Sequence, residues 1–352
     1  MFRHILALLD GSTRAEQALP IAARIAHTSG GTLTLLRVVP DMEHADADAV
    51  PVPLDVNLEA DIAAAKDYLT QVLSADEQGL FDGVGIKTEV LIGSPAQEIL
   101  TFAQTQQVDL IILCSHGRTG FKRWLLGSVA QMVARYSPVP VFVLREGGFS
   151  PLAEQDTLAR PLRVLVALDG SPYAEKVVVP AAQLCAALAA PAQGTLHLEM
   201  VLRRLTGVYD HKETVAAIHA LALTDARTYL NDMERRLREP DLAPLNLSVT
   251  SSLVIKEDVA DTLLKIAESG KYVEDIEGFD GCDIIALATH GRSSLTRLMM
   301  GSVTERILGA TMLPLLIVRP SEPVAEMQEG TTEKEQAKEE RREEYTAQVG
   351  LI

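Results

Sequence analysis

The chain has 352 residues, which suffices for about two domains of ordinary size. Its 32 Lys and Arg residues against 48 Asp and Glu residues give a formal net charge of −16 at pH 7, which argues against nonspecific nucleic-acid binding because a polyanion would be repelled. Its apolar runs are too short for a signal peptide or a membrane span, and three cysteines without C-x-x-C or metal-ligand spacing indicate reduced thiols, so we expect a soluble, cytoplasmic protein.

In the first half, short apolar runs alternate with helical patterns. HILALLD predicts a buried parallel strand bounded by the turn sequence Asp10-Gly11-Ser12, and one helix after it ends before Gly30-Gly31. There follow a strand at TLTLLRVV, a helix over 56–75, a strand at IKTEVLI, a helix at PAQEILTFAQ and a strand at DLIILC. A fourth helix then precedes a last strand at VFVLR. Strands and helices in alternation predict an α/β fold, an open parallel sheet with helices on both faces.

The second half repeats this order: RVLVALDGSP matches HILALLDGST, GTLHLEMVL matches GTLTLLRVV, and LPLLIVR matches VPVFVLR. Such self-similarity indicates a duplicated domain. We therefore predict domains over 1–147 and 161–320, a linker over 148–160, and a Glu-rich tail over 321–352 that is disordered, forms a solvated helix or binds a partner.

The second copy is also longer than the first. Asp10 and Asp169 lie 159 positions apart, but His116 and His290 lie 174 apart, so 15 residues are added between these points. We expect the run GKYVEDIEGFDG, which precedes the fourth strand of the second half, to hold many of them.

A repeated glycine-containing loop follows the fourth strand of each half. SHGRTGFKRWLLGSVAQ, residues 115–131, returns as THGRSSLTRLMMGSVTE, residues 289–305, and in each copy a glycine is followed after nine residues by Gly-Ser. Glycines let backbone N–H groups approach an anion, and the Gly-Ser pair opens a helix whose first amides are unpaired. The loop predicts a phosphate cradle, although not one of the Walker type, since the spacing differs from G-x-x-x-x-G-K-[ST].

With this strand, aspartate and glycine loop in both halves, the chain resembles the universal stress protein family, whose nucleotide-binding members carry G-x2-G-x9-G-[ST]. The family's leading glycine is replaced by Cys114 in the first copy and by Ala288 in the second. The resemblance implies two tandem open five-stranded parallel sheets of Rossmann-like, adenine nucleotide alpha hydrolase-like fold, packed about a pseudo-twofold axis. It also implies that the final strands, near 141–145 and 315–319, pair with each other.

The resemblance further implies binding of ATP or a related adenine nucleotide, with Mg²⁺ as a candidate companion, in a stress-response or regulatory role. It assigns an adenine contact to Asp10 and Asp169 and backbone contacts to Val38 and Val201. The complete set of candidate nucleotide-binding residues is Asp10, Ser12, Val38, Cys114, His116, Gly117, Arg118, Gly127, Ser128 and Val129 in the first half, and Asp169, Ser171, Val201, Ala288, His290, Gly291, Arg292, Gly301, Ser302 and Val303 in the second.

Structural roles compete with these assignments. Asp10 and Asp169 each begin an Asp-Gly-Ser turn and can cap the next helix. Ser128 and Ser302 each fit the S-x-x-[EQ] capping box. Both roles are compatible with phosphate binding, because amides at a capped helix end can still hold an anion.

Catalysis is not indicated by the sequence. No carboxylate or nucleophile is recognisable beside His116 or His290, so we predict no catalytic residue and keep a slow ATPase as an alternative. Another alternative is a non-nucleotide scaffold of the same fold that acts through protein partners, with Cys114 and Ala288 marking lost sites. An unidentified protein partner and a homodimer are further candidates, whereas nucleic acid and membrane are not expected as partners.

The two halves differ in the features that would favour binding. The additional glycine at Gly120 favours the first site, whereas Arg203, Arg204 and Lys212, after the second strand of the second half, attract an anion there. We therefore expect both sites to be competent.

Overall fold

The computed structural model describes residues 1–41, 58–76, 79–115, 126–145, 161–204, 212–273, 275–289 and 300–320, with the backbone alone for 212–218. Its first half contains β1 (His4–Leu8), α1 (Thr13–Glu16), α2 (Leu19–Ser29), β2 (Thr32–Val39), α3 (Leu58–Ser74), β3 (Gly85–Ile92), α4 (Pro95–Thr105), β4 (Leu110–Cys114), α5 (Ser128–Tyr136) and β5 (Val141–Leu144). Its second half contains β6 (Arg163–Leu168), α6 (Pro172–Glu175), α7 (Val178–Ala189), β7 (Thr195–Arg203), α8 (Lys212–Leu237), a 3-10 turn (Ala243–Leu245), β8 (Ser248–Lys256), α9 (Val259–Ser269), β9 (Ile284–Ala288), α10 (Ser302–Ala310) and β10 (Leu315–Val318). The predicted linker over 148–160 and tail over 321–352 lie outside the described residues.

The described strands form one ten-stranded sheet in the order β3-β2-β1-β4-β5-β10-β9-β6-β7-β8. Every neighbouring pair within a half is parallel, and only β5 and β10 run antiparallel among the described strands. Read outward from the β5–β10 contact, the strand order is the same in both halves. The predicted α/β fold with a pseudo-twofold arrangement is confirmed, and so is the pairing of the final strands.

The contact between the halves, which we call the seam, joins backbone and side chains. Leu316 of β10 lies opposite Phe142 of β5, and both side chains are fully buried. Arg145, just after β5, donates a hydrogen bond to the Leu308 carbonyl near the end of α10. Arg319, just after β10, donates in turn to the Tyr136 carbonyl at the end of α5, at 3.2 Å. Each half thus supplies a cation to the negative end of a helix in the other half.

The helices α2 and α7 form a second contact between the halves. Arg24 of α2 donates from Nε to the Leu188 carbonyl at 3.0 Å and from its guanidinium to the Ala190 carbonyl. Thr28, one turn later, donates to the Ala187 carbonyl at 3.1 Å. Because these carbonyls belong to the last turn of α7, Arg24 and Thr28 satisfy acceptors that the helix leaves without partners.

The core covers both faces of the sheet, as expected for parallel strands between two helical layers. Ile5 and Leu6 of β1 point to opposite faces, and neither side chain is exposed. One apolar cluster packs α2, α3, α7 and α8 on one face, and a second packs α4, α5, α9 and α10 on the other. Both clusters contain side chains from each half, so the halves share their core.

The structure corrects one predicted helix. The sequence after β1 predicts one continuous helix, but a turn at Gln17 and Ala18 separates α1 from α2. The break has a local reason, since Pro20 in the first turn of α2 has no N–H to donate. The predicted end of α2 is confirmed, because Gly30 takes φ 61° as its C-cap.

The added residues of the second half also have a place in the structure. Only 106–109 separate α4 from β4, whereas 270–283 separate α9 from β9. The predicted insertion therefore lies largely in this connection. No helix in the described part of the chain is long and apolar enough to cross a membrane.

Candidate functional site

A cleft of about 600 Å³ opens in the first half at the carboxyl ends of β1, β2 and β4. The amino ends of α4 and α5 and one side of α3 complete its walls. Because β1 lies between β2 and β4, the loops after these three strands meet at one edge of the sheet. The cleft brings together six of the residues predicted from the sequence, namely Asp10, Val38, Cys114, Gly127, Ser128 and Val129.

Asp10 is held in a turn at the mouth of the cleft. Its Oδ1 accepts hydrogen bonds from the Ser12 backbone N–H at 3.0 Å and from the Ser12 hydroxyl at 2.6 Å. The Ser12 hydroxyl itself accepts from the Ala15 N–H at 3.2 Å and caps α1. The turn therefore fixes the direction of the carboxylate, while the Ser12 hydroxyl serves the protein's own backbone.

The amino end of α5 lies across the cleft from this turn. Gly127 is the N-cap, with φ −59° and ψ 153°, and as a glycine it has no side chain that could cap the helix. The Gly127 N–H donates to the Ser115 carbonyl at 2.7 Å, which ties the helix end to the end of β4. The capping-box interpretation of Ser128 is wrong, because Ser128 is the first helical residue and no longer occupies the N-cap position.

The second half repeats this helix end. Gly301 is the N-cap of α10, with φ −61° and ψ 145°, and it too lacks a side chain that could cap the helix. Its N–H donates to the Thr289 carbonyl at 2.7 Å. The capping box at Ser302 is therefore also wrong, for the same reason. Each half presents a helix whose first amides are not covered by a serine hydroxyl.

The other candidate residues of the second half lie at equivalent strand ends. Asp169 Oδ1 accepts from the Ser171 N–H at 2.9 Å, and the Ser171 hydroxyl accepts from the Ala174 N–H at 3.2 Å. Val201 lies in β7, Ala288 ends β9, and Val303 follows Ser302 in α10. Six candidates, His116, Gly117, Arg118, His290, Gly291 and Arg292, lie outside the described residues.

The two halves differ beside the helix end. In the second half, the buried Thr304 hydroxyl donates to the Ala288 carbonyl at 2.8 Å, whereas Ala130 at the corresponding position lines the first cleft. Arg306 of α10 also makes two hydrogen bonds, of 2.9 and 2.7 Å, to Asp258 at the N-cap of α9. These contacts tie α10 to β9 and α9, and the arginine partner holds the pKa of the Asp258 carboxyl below its usual range.

One group beside the first cleft is missed by sequence reasoning. Arg37 lines the cleft, with its guanidinium carbon 4.9 Å from the centre of the Tyr68 ring, and the Tyr68 hydroxyl donates to Glu16 at 2.9 Å. Burial, helped by Glu16 and Asp10, raises the pKa of Tyr68, so this hydroxyl stays a donor. The sequence does carry a signal for Tyr68: the pair Tyr-Leu occurs at Tyr68 in α3 and again at Tyr229 in α8, the corresponding helix of the second half.

The chemistry of the cleft follows from its lining. Asp10, Arg37 and Asp61 supply the charged side chains among the described lining residues, and most other lining side chains are apolar. Such a cleft suits a ligand with a flat apolar part that carries polar edges and an anionic part that reaches the α5 amides. Among the described residues, no group of three or more His, Cys, Asp or Glu side chains could hold a metal ion.

Comparison with known proteins matches both halves to one family. A model of the universal stress protein family matches residues 1–145 and 162–319. Universal stress protein YxiE of Bacillus subtilis is 32% identical over 148 residues, which is 41% of this chain and 100% of that protein. Universal stress protein Rv2005c of Mycobacterium tuberculosis is 22% identical over 321 residues, or 89% of this chain and 96% of that protein. The second relative therefore matches both halves of the chain.

Solved structures agree over the whole chain. A universal stress protein from Archaeoglobus fulgidus superposes with a TM-score of 0.58 at 18% sequence identity, covering 90% of this chain and 98% of that chain. A protein of the same description from Pseudomonas aeruginosa superposes with a TM-score of 0.57, also at 18% identity, covering 94% and 98%. At these identities the likeness shows the fold.

Proposed function

Because the chain belongs to the universal stress protein family, whose model matches both of its halves, we propose that the first cleft binds an adenine nucleotide, ATP or a close relative, in a stress response. The observation that carries the proposal is the pairing, across one cleft, of a fixed carboxylate at Asp10 with a helix end whose N-cap, Gly127, has no side chain. The first accepts hydrogen bonds from a base or sugar, and the second attracts phosphate.

The proposed nucleotide has one favoured direction in the cleft. Phosphates belong at the amino end of α5, because backbone N–H groups and the helix dipole favour negative charge there. They do not belong beside Asp10, where like charges would repel. The base then lies between Asp10 and the end of β2, near Val38 and Arg37. Mg²⁺ that accompanies the nucleotide would take its ligands chiefly from the phosphates and water.

The same proposal extends to the rest of the chain. The second half offers the equivalent Asp169 turn and Gly301 helix end, so a second nucleotide belongs there. We place the domains at 1–147 and 161–320, the protein in the cytoplasm, and its output in an unidentified protein partner or a second copy of the chain.

A non-nucleotide scaffold is the second candidate. It is favoured by Cys114, whose side chain lines the cleft where the family pattern has a glycine. A side chain at this position takes room from a ligand that approaches the end of β4. Under this alternative the protein would act through its partners alone.

Nucleotide binding is tested by calorimetric titration of ATP into nucleotide-free protein, with Asp10→Asn and Asp10→Ala as variants. We expect Asp10→Ala to weaken binding at the first site by ~1–3 kcal/mol, because a charged hydrogen-bond acceptor is lost. Asp10→Asn keeps an oxygen that can accept from Ser12 and tests the charge alone.

Asp169→Asn is the matched control, because it makes the same change in the equivalent turn of the other half. A wild-type chain that takes up two nucleotides should lose affinity at a different site in each variant. Undiminished ATP affinity in Asp10→Ala would remove the first cleft from consideration. Protein that releases no nucleotide on denaturation and gives no heat with ATP would favour the scaffold.

A further inference from the structure

Four polar side chains, two of them buried and two half-buried, lie together in the second half, away from the candidate cleft. They are His197 and Glu199 of β7 and Thr250 and Ser252 of β8, which we call the polar cluster. His197 and Glu199 have no exposed surface. His197 Nε2 lies 3.3 Å from Glu199 Oε2 and 3.1 Å from the Ser252 hydroxyl, and Nδ1 lies 3.0 Å from the Thr250 hydroxyl.

Residues 275–282, which we call the cover, close over this cluster. The Phe279 ring centre lies 4.4 Å from that of His197, and the guanidinium of Arg163 in β6 lies over the Phe279 ring, 4.4 Å from its centre. Arg163 also donates to the Gly281 carbonyl at 2.7 Å. The Cys282 N–H donates to the Ala267 carbonyl at the end of α9 at 2.6 Å. The cover therefore rests on β6, β7 and α9 by a few identifiable contacts.

The first half has no equivalent of this arrangement among its described residues. In strand register, Thr34 and Leu36 of β2 occupy the positions of His197 and Glu199 in β7. Leu36 is 1% exposed and packs in the apolar cluster. The connection that forms the cover spans 270–283, against 106–109 in the first half. The polar cluster and its cover thus occur together, in one half only.

Burial decides the charge of the two titratable groups. Burial, helped by the nearby Arg163 cation, lowers the pKa of His197 to about 3. Burial raises the pKa of Glu199 to about 8, although the Ser252 hydroxyl acts in the opposite direction. Near neutral pH the imidazole is then uncharged and the carboxyl carries its proton.

The surroundings offer little to compensate an ionised Glu199. The Ser252 hydroxyl of β8 donates a hydrogen bond to Glu199 Oε2. The helix α9 places apolar side chains, such as Leu263 and Ile266, against this face of the sheet. Of the charged groups around Phe279, Arg163 of β6 pairs with Asp280 of the cover at 3.3 Å. Glu199 Oε1 is buried and has no hydrogen-bond partner among the described residues. A charge on this carboxyl would be stabilised only if water could reach it.

We propose that the polar cluster is a proton-controlled latch: the cover lies closed on β6, β7 and α9 while Glu199 holds its proton, and it opens when that proton is lost. The closed state binds the Glu199 proton more tightly than the open state does, so rising pH favours opening through the window between the two affinities. Rising pH has the opposite effect through His197: it favours the closed state, because the open state binds the His197 proton more tightly.

Together, His197 and Glu199 predict how the stability of the closed cover depends on pH. As pH rises from about 3 to 4.5, the closed cover gains stability as His197 loses its preference for the open state. From about 4.5 to 6.5 the two effects cancel, and from about 6.5 to 8 the closed cover loses stability through Glu199. The latch therefore opens on the alkaline side of neutrality.

The test is amide hydrogen exchange of the full chain, followed by mass spectrometry of peptides that span the cover. After correction for the intrinsic effect of pH, we expect exchange of the cover to rise at least about tenfold between about pH 6 and pH 8.5. Glu199→Gln, which cannot ionise, should remove this rise. Glu199→Leu, which installs the residue found at Leu36, is a second variant with the same expectation.

Glu89→Gln is the matched control, because this carboxylate is exposed on β3, the strand of the first half that corresponds to β8. It should leave the pH profile of the cover unchanged. Corrected exchange that does not depend on pH in the wild type would overturn the latch. A rise in Glu199→Gln or Glu199→Leu as large as in the wild type would overturn it as well.

Discussion

Replacing Phe142 by alanine is expected to lower the free energy of unfolding by about 3–5 kcal/mol. Phe142 is fully buried in β5, where it lies beside Ile112 of β4 and opposite Leu316 of β10. Its removal takes apolar contacts from both halves at once and leaves a cavity at the seam, which close-packed neighbours fill only in part. Urea denaturation followed by far-ultraviolet circular dichroism measures the change.

Leu221→Ala provides the control for this substitution. Leu221 lies on α8 with 67% of its surface exposed, so its truncation should change stability by less than about 0.5 kcal/mol. A loss in Phe142→Ala no larger than in Leu221→Ala would show that the seam is not a packed core. A large loss accompanied by earlier unfolding of both halves would support a shared core.

Replacing Ser128 by aspartate is expected to weaken ATP binding in the first half by about 2–4 kcal/mol, because a carboxylate would stand where the phosphates belong. Ser128 is the exposed first residue of α5 and lines the cleft. An acidic residue at the start of a helix stabilises the helix itself by about 0.3–1 kcal/mol. Folding should therefore be preserved or slightly improved while binding fails, and the two effects can be measured on one sample by calorimetry and denaturation.

Ser128→Asn is the neutral control, with nearly the same shape as aspartate and no charge. It should retain most of the affinity, since the proposed contacts at this helix end come from backbone N–H groups. Ser302→Asp makes the same change in the second half. If Ser128→Asp bound ATP as tightly as Ser128→Asn, the phosphates would not lie at the amino end of α5.

The strands and their order could be predicted because the chain carries two independent copies of one pattern. TLTLLRVV forms β2 over the full predicted run, Thr32–Val39, and Gly30 ends the preceding helix as predicted. The pairing of the final strands came from the family resemblance rather than from the residues. The break between α1 and α2 was missed because the apolar spacing continues across it, and only Pro20 marks it.

The candidate cleft could be predicted in part. Asp10 and Gly127 are placed together because β1 and β4 are neighbours, which the resemblance implied. The predicted capping box is wrong by one residue in each half. In the first half Gly127 adopts the extended conformation of an N-cap, and its carbonyl accepts the first helical hydrogen bond from Gln131 at 2.8 Å. Sequence alone cannot decide which of two adjacent small residues ends the loop.

The polar cluster was beyond the reach of pattern reasoning. Leu196, His197, Leu198 and Glu199 alternate apolar with polar, which is typical of a strand with one face in solvent. The structure buries both faces, because residues distant in the chain lie over the polar one. No local sequence pattern predicts such a cover. The only indication of it is the added length of the connection between α9 and β9.

The covalent link between the halves has a consequence for how they can change. In an assembly of two identical chains about a twofold axis, every contact occurs twice and every substitution is made on both sides. Here Arg24 of α2 donates to the end of α7, whereas Gln183, at the corresponding position of α7, makes no such hydrogen bond to α2 among the described residues, so the contact is made once. Dilution cannot separate the two sides, since the effective concentration of one for the other is fixed by the chain. Each half can therefore diverge without losing its partner, and the polar cluster of the second half can coexist with a cleft in the first half that does not share it.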